Sequence, residues 1–280
     1  VEDTLRIRRF VEEQHPRSAV LAGGGFIGLE LAENLRELGL DVTIVQRPKH
    51  LMNPFDPDMA ALLHAEVRAH GVHLALGHTV EGFTGTEKGV QVLLKDEAPL
   101  QADMVVLAIG VTPDSHLAAE AGLALGLKGS ILVNDRMQTS DPDIYAVGDA
   151  VQVRHFVTKQ PALIALAGPA NKQGRIAADN IAGGDSRYKG SQGSSVLKVF
   201  GLTAAATGLS ETAARKAGLD ADAVILSPMN HAGYYPGGRV MTLKVVYERG
   251  IGRLLGAQIV GAEGVDKRID VLATAIRAGM

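Results

Sequence analysis

The amino-acid sequence predicts an α/β chain: a parallel sheet carrying an antiparallel meander, a short middle segment, and a closing α+β layer. Three observations lead there. Over residues 18–76, apolar runs of strand length alternate with stretches of helical period. Strand-like runs separated by Gly, Lys and Asp then replace the helices as far as Gly110. After Gly190 short strands dominate again, interrupted by two helical patterns.

Residues 3–14 set Ile7, Phe10 and Val11 at helical spacing among charges, which predicts a surface helix ended by Pro16. Residues 18–22 predict a buried strand, and 26–38 a helix with Gly39 at its C-terminal stop. The second strand is expected at 41–45. Asp56-Pro57 then reads as a helix start, Asp56 the N-cap and Pro57 the first position, with the helix running to His70 and halted by Gly71. A third strand at 72–76 precedes the meander, expected at 80–83, 90–94 and near Leu100. Residues 104–109 predict a fully buried strand ending at Gly110, closing a first domain over 1–114. In 115–185 the pattern predicts a strand at 131–133, a buried strand that delivers Gly148-Asp149 at its carboxyl end, and a helix over about 163–181. This segment is too short to close a sheet alone. The third domain, 190–280, carries expected strands at 196–200, 223–226, 240–247 and 254–260, helices at 210–217 and 264–278, and a hairpin turn at Glu248-Arg249-Gly250.

Composition narrows the function classes. Hydrophobic residues make up 46% of the 280, which excludes a disordered chain, and a net charge of −3 argues against nucleic acid or an anionic membrane as partner. No apolar run has transmembrane length and no cleavable signal opens the chain, so a cytoplasmic protein is expected. With no cysteine, disulfides, thiolate metal sites and thiol catalysis are excluded within these residues. His70, His73 and His78 straddle a helix end, a strand and a loop, so no metal site is expected. Asp114-Ser115-His116 are sequence neighbours, which is not triad geometry; they read as a turn and helix start.

The strongest chemical signal is Val20-Leu21-Ala22-Gly23-Gly24-Gly25-Phe26-Ile27-Gly28-Leu29-Glu30. Gly23 suits a tight turn, Gly25 lets backbone approach a pyrophosphate, and Gly28 lets the helix pack closely on the strand while its N-terminus faces the phosphate charge. Strand before, helix after and a second strand beyond favour a Rossmann-like dinucleotide site over an incidental tight turn. At the end of the second strand, where NAD-selective domains commonly carry a carboxylate, the chain reads Val45-Gln46-Arg47, with Lys49 behind. A carboxylate would repel a 2′-phosphate by about 4 kcal/mol at about 4 Å and an effective dielectric of about 20. Gln46 removes that repulsion and can still bond a hydroxyl. Arg47 or Lys49 either pairs a phosphate or is a solvated loop cation, so NAD(P)H is expected without firm selectivity.

The glycine turn, Ala108-Ile109-Gly110-Val111-Thr112-Pro113, residues 140–150, residues 166–180 and Leu255-Gly256-Ala257-Gln258-Ile259-Val260-Gly261 follow one order. That order resembles the pyridine nucleotide-disulfide oxidoreductases, FAD enzymes with two dinucleotide folds and a dimerisation domain. Within them, His231-Ala232-Gly233-Tyr234-Tyr235-Pro236-Gly237 and Gly264-Val265-Asp266-Lys267-Arg268-Ile269-Asp270 resemble the coenzyme A-disulfide and persulfide reductase branch, whose scaffold NADH oxidases share. The resemblance covers essentially the whole chain.

It implies FAD and NAD(P)H as cofactors, a homodimer, and a small thiol or disulfide substrate such as a coenzyme A derivative. Gly23, Gly25, Phe26, Ile27, Gly28, Gln46, Arg47 and Gly110 would face the nicotinamide dinucleotide. Asp149 would meet the flavin ribityl chain, with Gly148 leaving room for backbone contact, or is simply a turn aspartate capping the next element; a helix opening near Ala167-Gly168-Pro169 would point its positive end at the flavin ring. Glu30 would sit near the nicotinamide–flavin contact, or is simply a carboxylate favouring a helix N-terminus. Tyr234 or Tyr235 would donate a hydroxyl to sulfur, reaching the partner subunit's site, or the two form an aromatic pair at a dimer interface. Lys267 and Arg268 would meet coenzyme A phosphates, or are a solvated helix start. In the family an N-terminal segment supplies the first glycine motif and a redox cysteine. The chain opens on Val1 and closes on Ala278-Gly279-Met280, so it is expected to be a fragment without that segment or the C-terminal tail. Residues 1–114 would then bind NAD(P), 115–185 would be the second half of the FAD domain, and 190–280 the dimerisation domain. The parent would pass electrons from NAD(P)H through FAD to a disulfide or persulfide. The alternatives are oxygen reduction and a non-catalytic nucleotide-binding module.

Overall fold

The computed structural model describes residues 2–87 and 89–280. The chain opens with α1 (Glu2–Gln14), β1 (Ser18–Ala22), α2 (Phe26–Glu37), β2 (Asp41–Gln46), α3 (Pro57–Ala69) and β3 (His73–Leu76). The meander β4 (Val80–Thr86), β5 (Gly89–Leu94) and β6 (Leu100–Ala102) follows, then β7 (Met104–Leu107). Strands β3-β2-β1-β7 form a parallel sheet. Both of its faces are covered, which explains the continuous apolar reading of β1. Ala19 and Leu21 pack with Leu29 and Ala32 of α2 and Leu63 and Val67 of α3, while Val20 and Val45 pack with Val92 and Leu94 of the meander.

The middle segment holds α4 (His116–Glu120), β8 (Ile131–Leu132), β9 (Val151–Arg154), β10 (Pro161–Ala162) and α5 (Ala167–Ile181), with a small sheet β10-β9-β8. The last segment comprises β11 (Ser195–Val199), β12 (Leu202–Gly208), α6 (Glu211–Lys216), β13 (Ala221–Leu226), β14 (Thr242–Glu248), β15 (Leu254–Gly261) and α7 (Val265–Arg277). Its five strands form an antiparallel sheet in the order β11-β12-β15-β14-β13. Leu197, Val199, Ala204, Ala206 and Val260 of this sheet belong to the same core as α2 and α3, so the first and last segments share buried apolar surface. The opposite face, through Ala205, Ala257 and Ile259, packs on Val265 and Ile269 of α7.

Several expectations need correction. The strand expected over 104–109 is not fully buried: β7 ends at Leu107, and Ile109 beyond it is 76% exposed, with no element among the described residues covering that end. Residues 141–147 are not a strand. Among the described residues their one sheet-like contact is the Gln138–Tyr145 bridge and no neighbouring strand offers a ladder, and a 3-10 turn begins at Gly148 with φ +85°. The helix expected from 163 starts at Ala167, since an earlier start would put Pro169 in the helix interior, where its ring meets the preceding turn. Strand β12, Leu-Thr-Ala-Ala-Ala-Thr-Gly, was not anticipated from its weak β propensity. It is a strand because Ala204, Ala205 and Ala206 let packed layers approach it closely from both faces.

Asp56 also departs from the sequence expectation. It occupies the N-cap position of α3 but makes no side-chain bond there. Its carboxylate accepts instead from the Glu211 and Thr212 backbone N–H groups (2.9 and 3.0 Å), the Thr212 hydroxyl (2.6 Å) and Gln258 Nε2 (2.7 Å). The Asp56 N–H returns a bond to Gln258 Oε1 at 2.7 Å. Lys244, only 4% exposed, lies 3.3 Å from Asp56, 2.7 Å from Asp58 and 2.9 Å from Glu211. A carboxylate of the first segment therefore caps α6 of the last. Burial pushes the Asp56 carboxyl up, but the Thr212, Gln258 and Glu211 bonds outweigh it and hold the pKa at about 2. Burial likewise opposes the charge on Lys244, and its contacts with Asp58, Glu211 and Asp56 overcome it, raising the ammonium pKa.

The Asp56 carboxyl titrates lower in the fold than in an unfolded chain, so its stabilisation is complete above about pH 4. It disappears as pH falls through about 2. Asp56→Asn should lower the unfolding free energy at neutral pH by about 2 kcal/mol, measured by urea denaturation, with the gap narrowing toward acid pH. A gap that stays constant into acid would exclude the ionised carboxylate as the source.

Candidate functional site

The carboxyl ends of β1, β2 and β7 open onto a cleft of about 590 Å³, a volume suited to a small-molecule ligand. The glycine turn forms its floor, and each glycine there answers a different constraint. Gly23 has φ +118°, and a Cβ on it would lie 2.2 Å from the Ala108 carbonyl oxygen. A Cβ on Gly28 would lie 1.9 Å from the Gly23 oxygen, so the helix can approach the turn only because neither side chain exists. Gly25 differs: a Cβ there would meet nothing within 4 Å, and its backbone faces open space at the N-terminus of α2. That open space beside the N-terminal N–H groups of α2 fits a pyrophosphate.

Two bonds hold the turn in place. Gly24 N–H donates to Gln46 Oε1 at 2.9 Å, and Met52 N–H donates to the Gly24 oxygen at 2.9 Å. The Gln46 side chain is buried, and its oxygen is committed to the turn rather than to a ligand hydroxyl. Only its amide NH2 is left to offer, a donor. Arg47 lines the cleft and Lys49 lies near it; neither has an ion-pair partner among the described residues.

Gly23, Gly25, Phe26, Gln46, Arg47 and Gly110 are brought together on the cleft wall. Gly28 is buried behind it, while Ile27 and Glu30 sit exposed on α2 outside the lining. Sequence reasoning missed the opposite wall: Asn53 and Pro54 from the loop after β2, and residues 78–83, including Phe83, from the start of β4. Their position after the carboxyl ends of parallel strands was the available signal. His78 lies at this wall, 4.0 Å from Glu97.

The other singled-out residues lie elsewhere. Gly148 N–H donates to buried Gln173 Oε1 at 2.7 Å, which ties the Gly148-Asp149 turn to the first half of α5. Asp149 and Ala167 are exposed, Ala167 as the first residue of that helix. Gln173 gave no sequence signal, since a helical glutamine reads as a surface residue. Tyr234 and Tyr235 are 85% and 63% exposed, with ring centroids 5.2 Å apart and His231 edge-on to Tyr235 at 6.3 Å. Arg268 donates to the Asn230 and Gly264 carbonyls and so anchors the base of the tyrosine loop, whereas Lys267 is exposed. No cluster of metal-ligating side chains and no helix long and apolar enough to cross a membrane occurs among the described residues.

Comparison with known proteins agrees with this geometry. Residues 3–174 match the pyridine nucleotide-disulphide oxidoreductase family, and residues 194–280 match its dimerisation domain. The chain is 35% identical over 277 residues to an NAD(P)H sulfur oxidoreductase (CoA-dependent) of Pyrococcus abyssi, covering 99% of this chain and 61% of that protein. It is 32% identical over 277 residues to a coenzyme A disulfide reductase of Staphylococcus aureus, covering 99% and 62%. The solved structure of reduced Bacillus anthracis CoADR-RHD superposes with a TM-score of 0.96 at 48% identity, covering all of this chain and 50% of that one. The chain thus spans about three fifths of the length of the curated relatives it matches.

The two glycines predict opposite phenotypes. Gly25→Ala should alter stability by less than about 1 kcal/mol yet, if the open space at Gly25 receives a pyrophosphate, weaken dinucleotide binding at least about tenfold, because the methyl fills it. Gly28→Ala should cost on the order of 1–3 kcal/mol through the clash with Gly23. Thermal unfolding and NADH titration of both variants check this, and equal stability losses would refute the division of roles.

Proposed function

The chain belongs to the pyridine nucleotide-disulphide oxidoreductases, and from that premise we propose that it forms the NAD(P)H-binding and dimerisation portion of an FAD-dependent reductase of disulfide or persulfide substrates. The observation that carries this reading is the open cradle at Gly25, set between a turn that admits no side chain at Gly23 and the N-terminus of α2. In the proposed organisation residues 1–114 bind NAD(P)H, 115–185 complete the flavin domain and 190–280 form the dimer contact.

Residue roles follow the same reading. Gly25, Phe26, Arg47 and Gly110 contact the dinucleotide, with Gly23 and Gly28 shaping the turn; Ile27 and Glu30 border it on the exposed side of α2. Flavin, when bound, supplies a two-electron acceptor for the nicotinamide hydride. Toward it this chain offers the exposed Asp149 carboxylate for ribityl hydroxyls and the N-terminus of α5 at Ala167, whose dipole favours negative charge. The chain holds no cysteine, so in this reading the thiol that attacks the substrate comes from outside these residues. Relatives named for coenzyme A and sulfur chemistry support a coenzyme A-linked substrate. Tyr234 or Tyr235 then serves as the hydroxyl donor and Lys267 as a phosphate contact; Arg268 supports the tyrosine loop. A homodimer is supported by the match to a dimerisation domain and by the exposed Val224, Ile225 and Leu226 of β13. A need for NAD(P)H favours the cytoplasm, where that cofactor circulates. A relative named NADH oxidase, 36% identical over 277 residues, keeps oxygen as a second acceptor to be assayed.

Selectivity between NADH and NADPH should be weak, because Gln46 puts no carboxylate beside a 2′-phosphate. In the complete enzyme kcat/KM should agree within about tenfold for the two cofactors, and Arg47→Ala should weaken NADPH about three- to fivefold while sparing NADH. Strong preference for NADH, or an equal loss for both, would remove Arg47 from phosphate recognition.

A further inference from the structure

The loop joining β2 to α3 contributes Arg47, Pro48, Asn53 and Pro54 to the cleft, and its backbone is held in a costly conformation. Met52 has φ +54°, a left-handed geometry that a non-glycine side chain resists. Such strain persists only where the surroundings over-determine it. Met52 N–H donates to Gly24 O (2.9 Å), its own oxygen accepts from Phe55 N–H (2.8 Å), and Met52 and Leu51 are both fully buried. Leu51 packs directly on the glycine turn: its Cδ2 lies 2.3 Å from where a Gly24 Cβ would be.

The remaining tie comes from α3. Leu51 N–H donates to His64 Nε2 at 3.1 Å. A backbone amide can only donate, so Nε2 must carry a lone pair and the His64 ring must be neutral, with its proton on Nδ1. His50, the other ring on this loop, sends Nδ1 to the Leu51 carbonyl at 2.9 Å and donates in either charge state. Protonating His64 would place a donor against a donor at the residue adjoining Met52. From these contacts we propose that His64 is a positioning residue for the dinucleotide cleft: its neutral ring holds the Leu51 amide, and acid releases the loop and weakens dinucleotide binding. The proposal rests on the dinucleotide reading of the cleft.

The charged surroundings give it a sign. Burial, Arg68 one turn along α3, and His50 on the loop all push the His64 pKa below the ordinary imidazole range, and no carboxylate pairs with it among the described residues. The neutral, loop-holding form is therefore the resting state near neutrality. Arg47, His78 and Glu81 are further charged or titratable side chains on the cleft wall. Substitution of His64 alone leaves these groups in place and so separates its contribution from theirs.

The test is NADH titration of this chain at about pH 7.5 and about pH 5, on either side of the histidine range. NADH is the probe because the 2′-phosphate of NADPH titrates near about 6, as phosphate monoesters do. The intact chain should lose about five- to tenfold in affinity on acidification, the worth of one hydrogen bond in a binding loop. His64→Leu should bind weakly at both pH values. His64→Gln, whose amide oxygen accepts without titrating, should restore binding relative to His64→Leu and make it flat with pH. By reciprocity, saturating NADH should lower the His64 pKa of the unsubstituted chain, followed by NMR, a readout that needs no variant to fold. Binding that is flat or stronger in acid, a His64→Gln profile that keeps the wild-type slope, or a His64 pKa indifferent to NADH would overturn the proposal. Absence of NADH binding at both pH values would instead overturn the dinucleotide reading itself, and this proposal with it.

Discussion

Two backbones meet at the glycine turn with no room for a carbon atom between them. The Gly23 carbonyl sits where a Gly28 Cβ would be, and the Ala108 carbonyl sits where a Gly23 Cβ would be. This double approach draws the N-terminus of α2 down onto the carboxyl ends of β1 and β7. It leaves Gly25 as the one glycine of the motif facing open space. Everything that reads as binding capacity in the first segment depends on it, because the helix N–H groups point into the cleft only if the turn is this tight.

Around that turn the fold supplies supports rather than further ligands. Gln46 and Met52 hold Gly24 from opposite directions, and His64 holds the residue next to Met52. Farther back, Asp56 begins α3 while capping α6 and pairing with Lys244, so the helix that carries His64 is itself fixed to the antiparallel sheet. The shared apolar core of α2, α3, β11 and β12 works in the same sense. The cleft is thus positioned by contacts from both ends of the chain, and a side chain far from any ligand can alter its geometry.

Much of this was legible in the sequence, for local reasons. The glycine spacing, the apolar runs of β1, β2, β14 and β15, and the stops at Gly39 and Gly71 each depend on residues within one turn or one strand. The floor of the cleft could be named from them. Its second wall could not, because Asn53 and Phe83 carry no pattern of their own and enter the site through the sheet's topology. Gln46 shows the gap well: its identity at the strand end was plain, but its oxygen is taken up by the Gly24 amide rather than by a ligand.

Taken alone, the amino-acid order determined the α/β class, the glycine turn, the kinship and the absence of a cysteine, since periodicity, spacing and composition are written along the chain. Only the tertiary structure decided that Asp56 caps a helix 155 positions away, that an alanine-rich stretch becomes a central strand, and that residues 141–147 are no strand at all. It likewise decided that a histidine on α3 accepts from the loop bordering the cleft. The reason is common to all of these: a hydrogen-bond acceptor, a strand partner or a close-packed face is supplied by whichever residue the fold brings near, and that neighbour leaves no mark at the position that uses it.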